Sequence, residues 1–380
     1  MAPIFLSTYA AATFSNMKLY IIAGEASGDL HGSNLIKALH QRQPGLQCRA
    51  WGGDMMQQAG ATLVKHYRDL AFMGFLEVLK NLRTILGNLN FCKKDILAFK
   101  PDAIVLIDYP GFNLRIARWA YEQGIRVVYY ISPQIWAWHR SRVHAMKRDI
   151  DQMLVILPFE SDFFKQNGMD VTYVGHPLLD AIGAGLSNAN TSSKQIALLP
   201  GSRKQEVQRI LPVMLEATRH FPDYHFVIAA AHSLNDAYFK TFIQDYPNVK
   251  LVRGQTYDVL RASCAALVKS GTSTLETALL DVPQVVCYAG NPFSYHIAKR
   301  LVKVPYISLV NLIMDQPLVR ELIQDELNVE NVHIALKEIL NPENARVMKL
   351  GYAQLRDKLG AGGASERAAK AILENMQVSL

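Results

Sequence analysis

A single aspartate directly after an apolar run is the first place in this sequence where chemistry could sit. Asp108 follows residues 103–107 (AIVLI) in the segment Ile107-Asp-Tyr-Pro-Gly-Phe-Asn113. At the C-terminal tip of a parallel strand, a carboxylate points into a ligand crevice, and partial desolvation raises its pKa toward the range useful for a general base. The competing reading is a turn-former beside Pro110 and Gly111. A glycine-rich loop, Gly24-Glu-Ala-Ser-Gly-Asp-Leu-His-Gly32, offers a second set. Its glycines permit tight turns, and Ser27 and Asp29 can cap the helix that follows. Ser27, Gly28 and His31 are candidate ligand contacts, with His31 either a base or a structural histidine on a helix face.

Two further loops are suited to anions. Leu199-Pro-Gly-Ser-Arg-Lys204 combines backbone freedom at Gly201, the N–H groups of a helix start at Ser202, and the donor fork of Arg203. It lacks the G-K-[ST] ending of a Walker loop. Lys269-Ser-Gly-Thr-Ser-Thr-Leu-Glu276 repeats the logic: Ser270, Gly271 and Thr272 suit a diphosphate, and Glu276 is placed to accept the hydroxyl protons of a ribose. Two such loops in one half of the chain point to a nucleotide diphosphate. In Ser132-Pro-Gln-Ile-Trp-Ala-Trp-His-Arg140, Trp136 and Trp138 could stack a sugar ring and Arg140 grip a phosphate, or the tryptophans could anchor a core loop with a solvated basic flank.

The elements that must position these loops alternate between short apolar runs and helix-length amphipathic stretches. Strands are expected at 18–23, 103–107, 127–131, 152–157 and 171–174, then at 196–199, 225–230, 249–252, 265–269 and 284–288, with a helical tail from about residue 317. The fold class is therefore α/β: two Rossmann-like domains facing across a cleft, with a C-terminal helical tail. The expected divisions are an extension at 1–16, an N-terminal domain at 17–182, a linker at 183–194, a C-terminal domain at 195–345 and a tail at 346–380 that can pack back on the N-terminal domain.

Residues 72–94 carry a broad apolar stripe that includes Met73, Phe75, Leu76, Leu79 and Leu82, interspersed with basic residues. Such a stripe reads as a buried helix or as a surface that dips into a bilayer and holds acyl chains. The net charge of +7 favours anionic partners. The basic residues are dispersed without a nucleic-acid signature, so no nucleic-acid partner is expected. Four cysteines far apart argue against a disulfide framework and fit a reducing cytoplasm, and no apolar run reaches the length of a membrane span.

Taken together, these loops resemble the lipid-A-disaccharide synthases, bacterial glycosyltransferases of the GT-B architecture. The resemblance rests on residues 21–32 (IIAGEASGDLHG), 51–56 (WGGDMM), 73–79 (MGFLEVL), 107–113 (IDYPGFN), 132–138 (SPQIWAW), 174–180 (VGHPLLD), 199–203 (LPGSR), 270–276 (SGTSTLE), 308–313 (SLVNLI) and 319–324 (VRELIQ). It implies an inverting transfer of 2,3-diacylglucosamine from UDP to 2,3-diacylglucosamine 1-phosphate, giving a β-1,6 disaccharide, with no metal and no cofactor. Asp108 matches the family's catalytic carboxylate. Gly201, Ser202, Arg203, Ser270, Gly271, Thr272 and Glu276 match the donor side, as do Asn311, Glu321 and Gln324. Acceptor contacts fall to Ser27, Gly28, His31, Trp136, Trp138 and Arg140. The resemblance also implies a homodimer with exchanged C-terminal parts, peripherally bound to the cytoplasmic face of the inner membrane. His139 departs from the pattern, standing where a basic side chain is expected. The rival readings are another GT-B enzyme acting on UDP-N-acetylglucosamine and a non-catalytic nucleotide-sugar-binding module, which would have no need of Asp108.

Overall fold

The computed structural model describes residues 17–70, 82–138, 142–183, 193–231, 234–291, 295 and 304–377. Two all-parallel sheets organise them. The first has seven strands in the order β3-β2-β1-β4-β5-β6-β7. These are β1 (Lys18–Ala23), β2 (Gln47–Gly52), β3 (Thr62–His66), β4 (Ala103–Ile107), β5 (Arg126–Tyr130), β6 (Gln152–Val155) and β7 (Thr172–Tyr173). The second has six strands in the order β10-β9-β8-β11-β12-β13. These are β8 (Gln195–Leu199), β9 (His225–Ala230), β10 (Val249–Arg253), β11 (Ala265–Lys269), β12 (Gln284–Tyr288) and β13 (Arg320–Ile323). Central strands β4, β8 and β11 are buried nearly end to end, as expected of strands covered by helices on both faces.

Both sheets reverse their strand order at one place, between β1 and β4 in the first and between β8 and β11 in the second. Open parallel sheets bind ligands at such switch points, outside the carboxyl ends of the strands. The loops that follow β1, β4, β8 and β11 are the glycine-rich loop, the Asp108 turn, the Arg203 loop and the Ser270 loop.

Three strands depart from the sequence expectation. β2 is interrupted by Arg49, which reaches the Asp95 carboxylate on the helix Leu82–Phe99 at 2.6 Å, so its apolar pattern is broken. β3 is an edge strand of intermediate burial. β13 lies inside the stretch expected to be helical from residue 317. It is a four-residue edge strand paired in parallel with β12, with only Leu322 fully buried.

The helical tail is divided between the domains. The helix Pro342–Leu359 stays on the second domain, where the Tyr352 hydroxyl lies 3.3 Å from the Gln284 amide and Arg356 pairs with Asp281 at 2.8 Å. The chain crosses over at Gly360–Gly363, and the helix Ala364–Gln377 packs against the helix Ala26–Arg42 of the first domain. Asp180 receives this helix, accepting from the N–H groups of Gly363 (2.6 Å), Ala364 (3.2 Å) and Ser365 (2.8 Å). Among the described residues no helix is long and apolar enough to cross a membrane.

Asp29 does something other than cap its own helix. It is buried and accepts from the N–H groups of Gly53 (2.8 Å), Met55 (3.2 Å) and Met56 (3.0 Å), closing the start of the short helix Asp54–Gln58. A buried carboxylate with three N–H partners leaves them all unsatisfied when it is removed. Asp29→Ala is therefore expected to lower stability by about 2–3 kcal/mol, measurable as a shifted urea midpoint with an unchanged slope.

Candidate active site

Asp108 and Tyr109 close β4 with two consecutive left-handed residues (φ 45° and 48°). Non-glycine residues rarely hold that conformation, at a cost of about 1–3 kcal/mol each, and do so where the surroundings over-determine it. Here the Asp108 carbonyl accepts from the Tyr129 hydroxyl (2.6 Å) and the Asn113 amide (2.8 Å), and its N–H donates to the Tyr130 carbonyl (3.2 Å). The buried Asn113 amide also reaches the Ile107 carbonyl at 3.2 Å. The turn is thus held by its backbone, leaving the carboxylate for other use. Burial first, then the facing Glu25 carboxylate, push the Asp108 carboxyl up to about 7; the backbone N–H of Tyr109 pulls the other way, and Glu160 adds to the rise.

The glycine-rich loop lies against this turn. A Cβ at Gly24 would stand 2.3 Å from the Tyr109 ring, so only glycine allows the approach. Glu25, the next residue, reaches across to the second domain, where the Arg203 guanidinium lies 3.7 Å from its carboxylate. Burial raises the Glu25 carboxyl, and Arg203 opposes that rise.

In the second domain the loops after β8 and β11 lie side by side, and an internal carboxylate engages both. Glu206 accepts from the N–H groups of Ser202 (3.2 Å) and Arg203 (3.3 Å), and it pairs with the Arg203 side chain (3.3 Å) and with Lys269 (2.9 Å). These are the donors that a diphosphate would use. Gly201, at φ 112°, could carry no side chain, because a Cβ would lie 2.5 Å from the Glu206 carboxylate. Lys269 and Arg203 hold the Glu206 carboxyl below the usual range in spite of its burial. Next to this, Gly271 precedes the helix Thr272–Leu279, and Thr272 is exposed at its start. Glu276, raised by burial, accepts from the Tyr257 hydroxyl at 3.0 Å.

Other residues singled out from sequence have structural partners. Ser270 donates its hydroxyl to the Ile307 carbonyl (2.8 Å). The buried Asn311 amide donates to the Val319 carbonyl (2.8 Å) and Glu321 (2.9 Å), and its oxygen accepts from the Val319 N–H (2.9 Å). Glu321 accepts in addition from the N–H groups of Ile307 (3.0 Å) and Ser308 (2.9 Å) and from the Ser308 hydroxyl (2.7 Å). Gln324 accepts from the Gly290 N–H at 2.8 Å. The Asn311, Glu321 and Gln324 side chains tie β13 to the loops beside it.

In the first domain, Ser27 is exposed and Gly28 is packed on Ala23. His31 is buried and pushed down to about 4, chiefly by burial; the ionisable groups acting on and through it are Asp180 and His176, in the segment that leads into the linker. Trp136 is buried with its indole N–H 3.3 Å from Glu160 and its ring edge-on to Phe159, which makes it an anchor of its loop. Met73, Phe75, Leu76, Leu79 and Arg140 lie outside the described residues, as do the side chains of Leu82 and Trp138. The helix that begins at Leu82 does expose Leu86, Phe91 and Leu97.

Sequence reasoning missed Glu25, Glu206 and Tyr257 as parts of the site. The signal for Glu206 was available: it stands three residues after Arg203, the spacing of a capping box. Nothing local in the sequence singles out Glu25 or Tyr257.

A sequence profile described as lipid-A-disaccharide synthetase matches residues 19–374. A lipid-A-disaccharide synthase of Syntrophus aciditrophicus is 44% identical over 370 residues, spanning 93% of this chain and 97% of that one. Another, of Geobacter metallireducens, is 38% identical over 376 residues, spanning 95% and 98%. Among solved structures, the UDP-GlcNAc 2-epimerase of Neisseria meningitidis bound to UDP-GlcNAc superimposes with a TM-score of 0.65 at 14% identity, over 94% of this chain and all of that one. The glycotransferase of kitacinnamycin gives 0.63 at 16% identity, over 95% and 99%. At such identities the structural likeness speaks to the fold: two parallel-sheet domains of the GT-B kind.

Proposed function

The chain belongs to the lipid-A-disaccharide synthase family and is a glycosyltransferase of lipid A disaccharide synthesis; we propose that it uses Asp108 as its general base and Arg203 at the donor diphosphate. The substrates that go with this reading are UDP-2,3-diacylglucosamine as donor and 2,3-diacylglucosamine 1-phosphate as acceptor. Asp108 removes the proton of the acceptor 6-hydroxyl as that oxygen attacks the anomeric carbon from the face opposite UDP, inverting the centre. The bond to the diphosphate breaks as the new glycosidic bond forms. Arg203 and the N–H groups at Gly201 and Ser202 take up the charge that develops on departing UDP. Thr272 and the helix start beside it hold phosphate oxygens, and Glu276 accepts from the ribose hydroxyls.

The observation that carries this reading is the meeting of two switch points, one with a buried carboxylate, the other with a guanidinium 3.7 Å from the loop beside that carboxylate. That meeting supports a base and a leaving-group stabiliser acting across one cleft, as a direct displacement needs. A peripheral position on the cytoplasmic face of the inner membrane follows from the acylated substrates and is supported by the exposed Leu86, Phe91 and Leu97. The homodimer is carried by the resemblance.

The test is turnover of the two acylated substrates in mixed micelles, with product identification. A β-1,6 disaccharide 1-phosphate and free UDP are expected. An epimerised UDP-sugar, or UDP binding without any product, would replace this reading with one of its rivals. Within it, Tyr257 orients Glu276. Tyr257→Phe is expected to weaken UDP binding about two- to tenfold and to leave pyrophosphate binding unchanged; calorimetric titration of both ligands reads the difference.

A further inference from the structure

Among the described residues, the pair Glu25–Arg203 is the one ion pair that joins the loops of the first sheet to those of the second. It belongs to a row of charged groups across the cleft, two carboxylates followed by a guanidinium. Glu25 repels Asp108 through space; its carboxylate pairs with Arg203; Arg203 and Lys269 both pair with Glu206. The close approach at Gly24 fixes the position of Glu25 over the Asp108–Tyr109 turn. Glu25 therefore has an anionic neighbour in its own domain and a cationic one in the other, and whatever removes the second exposes the first.

We propose that Glu25 is a positioning residue that couples donor binding to the base: it holds Arg203 until the donor diphosphate takes that guanidinium, and is then left facing Asp108 as an unneutralised carboxylate. The proposal rests on the reading of Asp108 as base and Arg203 as diphosphate ligand. A diphosphate presents more charge and more acceptor oxygens to the planar guanidinium than one carboxylate does, so the exchange favours the donor. Glu25 and Arg203 are both partly exposed, with side-chain accessibilities of 36% and 48%, so the hold is weak enough to be displaced.

The groups acting on Asp108 are Glu25 from the loop after β1, Glu160 from the helix Glu160–Gln166, and the adjacent Tyr109; the Tyr129 hydroxyl of β5 meets its carbonyl. Those acting on Glu25 are Arg203, Glu206 and Lys269 from the second domain. When Arg203 turns to the diphosphate, the repulsion between Glu25 and Asp108 is no longer offset. Asp108 then becomes the stronger base with the donor already in place, so proton removal from the acceptor is tied to a loaded donor site.

The test uses the full chain with UDP as the titrated probe. Glu25→Gln removes one of the two carboxylates that hold Arg203, leaving Glu206, and is expected to tighten UDP binding about two- to fivefold. The same variant weakens the base: the acid limb of the pH–turnover profile moves to lower pH, and the plateau rate falls severalfold. Glu25→Asp, which keeps the charge, should move both readouts back toward wild type. Opposite changes in affinity and rate separate this role from a structural one, which would loosen both. Unchanged or weakened UDP binding in Glu25→Gln overturns the hold on Arg203, and an unmoved acid limb overturns the coupling. A wild-type chain that binds no UDP would sink the donor-site reading itself. Full turnover by Asp108→Asn would remove the base reading while the UDP titration still judged the hold.

Discussion

Asp108→Asn is expected to lower turnover about a hundred- to ten-thousandfold, the range attributed to a positioned general base, with UDP binding retained. The substitution is isosteric, and asparagine tolerates the left-handed conformation that this position requires. The hydrogen bonds that hold the turn run through the Asp108 backbone and survive the change. A loss of rate would then report the carboxylate and nothing else. The wild-type profile carries its own check. A base must be unprotonated, and Asp108 is pushed up to about 7, so turnover should fall as pH drops through that value and level off above it. Loss of the acid limb in a residual activity of the variant would tie the limb to this residue; a limb that persists unchanged would assign it elsewhere.

Arg203→Ala should have the next largest effect, a drop in turnover of about a hundred- to a thousandfold, comparable to removing one preorganised donor at a developing anion. UDP binding should weaken with it, because the guanidinium meets the diphosphate before and after the bond breaks. Arg203→Lys should recover part of the affinity and less of the rate, since an ammonium restores the charge without the planar fork. The side chain is exposed on one face and pairs with Glu25 and Glu206, so its removal costs the fold little, and a thermal melt close to wild type is part of the expected result.

The parts of this molecule that the sequence makes legible are those in which one physical requirement dominates. β1, β4, β8 and β11 lie inside two-sided sheets, so each reads as an uninterrupted apolar run. Asp108 and Arg203 stand just beyond strand ends, and Glu276 about one turn into the helix after β11, where a ligand crevice must open, which is why they could be nominated by position. β2 and β13 were illegible because they answer to more than burial: Arg49 breaks one to reach Asp95, and the other is four residues at a sheet edge. Glu25 was illegible for a further reason. Its partners, Arg203 and Asp108, are far away in sequence, and their meeting depends on how two independently wound sheets face each other. Glu206 shows the converse. The loop at Ser202 and Arg203 reads from sequence as a place for an anionic ligand, and in the structure the chain's own Glu206, three residues on, accepts from its N–H groups.

The crossing at Gly360–Gly363 has a consequence for the order in which the protein can be made. The helix Ala364–Gln377 completes the first domain, with Asp180 at its start and the Arg126 guanidinium donating to the Asn375 carbonyl near its end. A ribosome delivers that helix only after the whole second domain. The first sheet can form early, but one side of the helix Ala26–Arg42 stays uncovered through the synthesis of the whole second domain. During that interval the nascent chain displays an apolar surface that the helix Ala364–Gln377 has yet to cover, a situation that invites chaperone binding. The same geometry means that cutting the chain between the two sheets yields neither domain whole: one fragment lacks the helix Ala364–Gln377, and the other carries that helix without its seat.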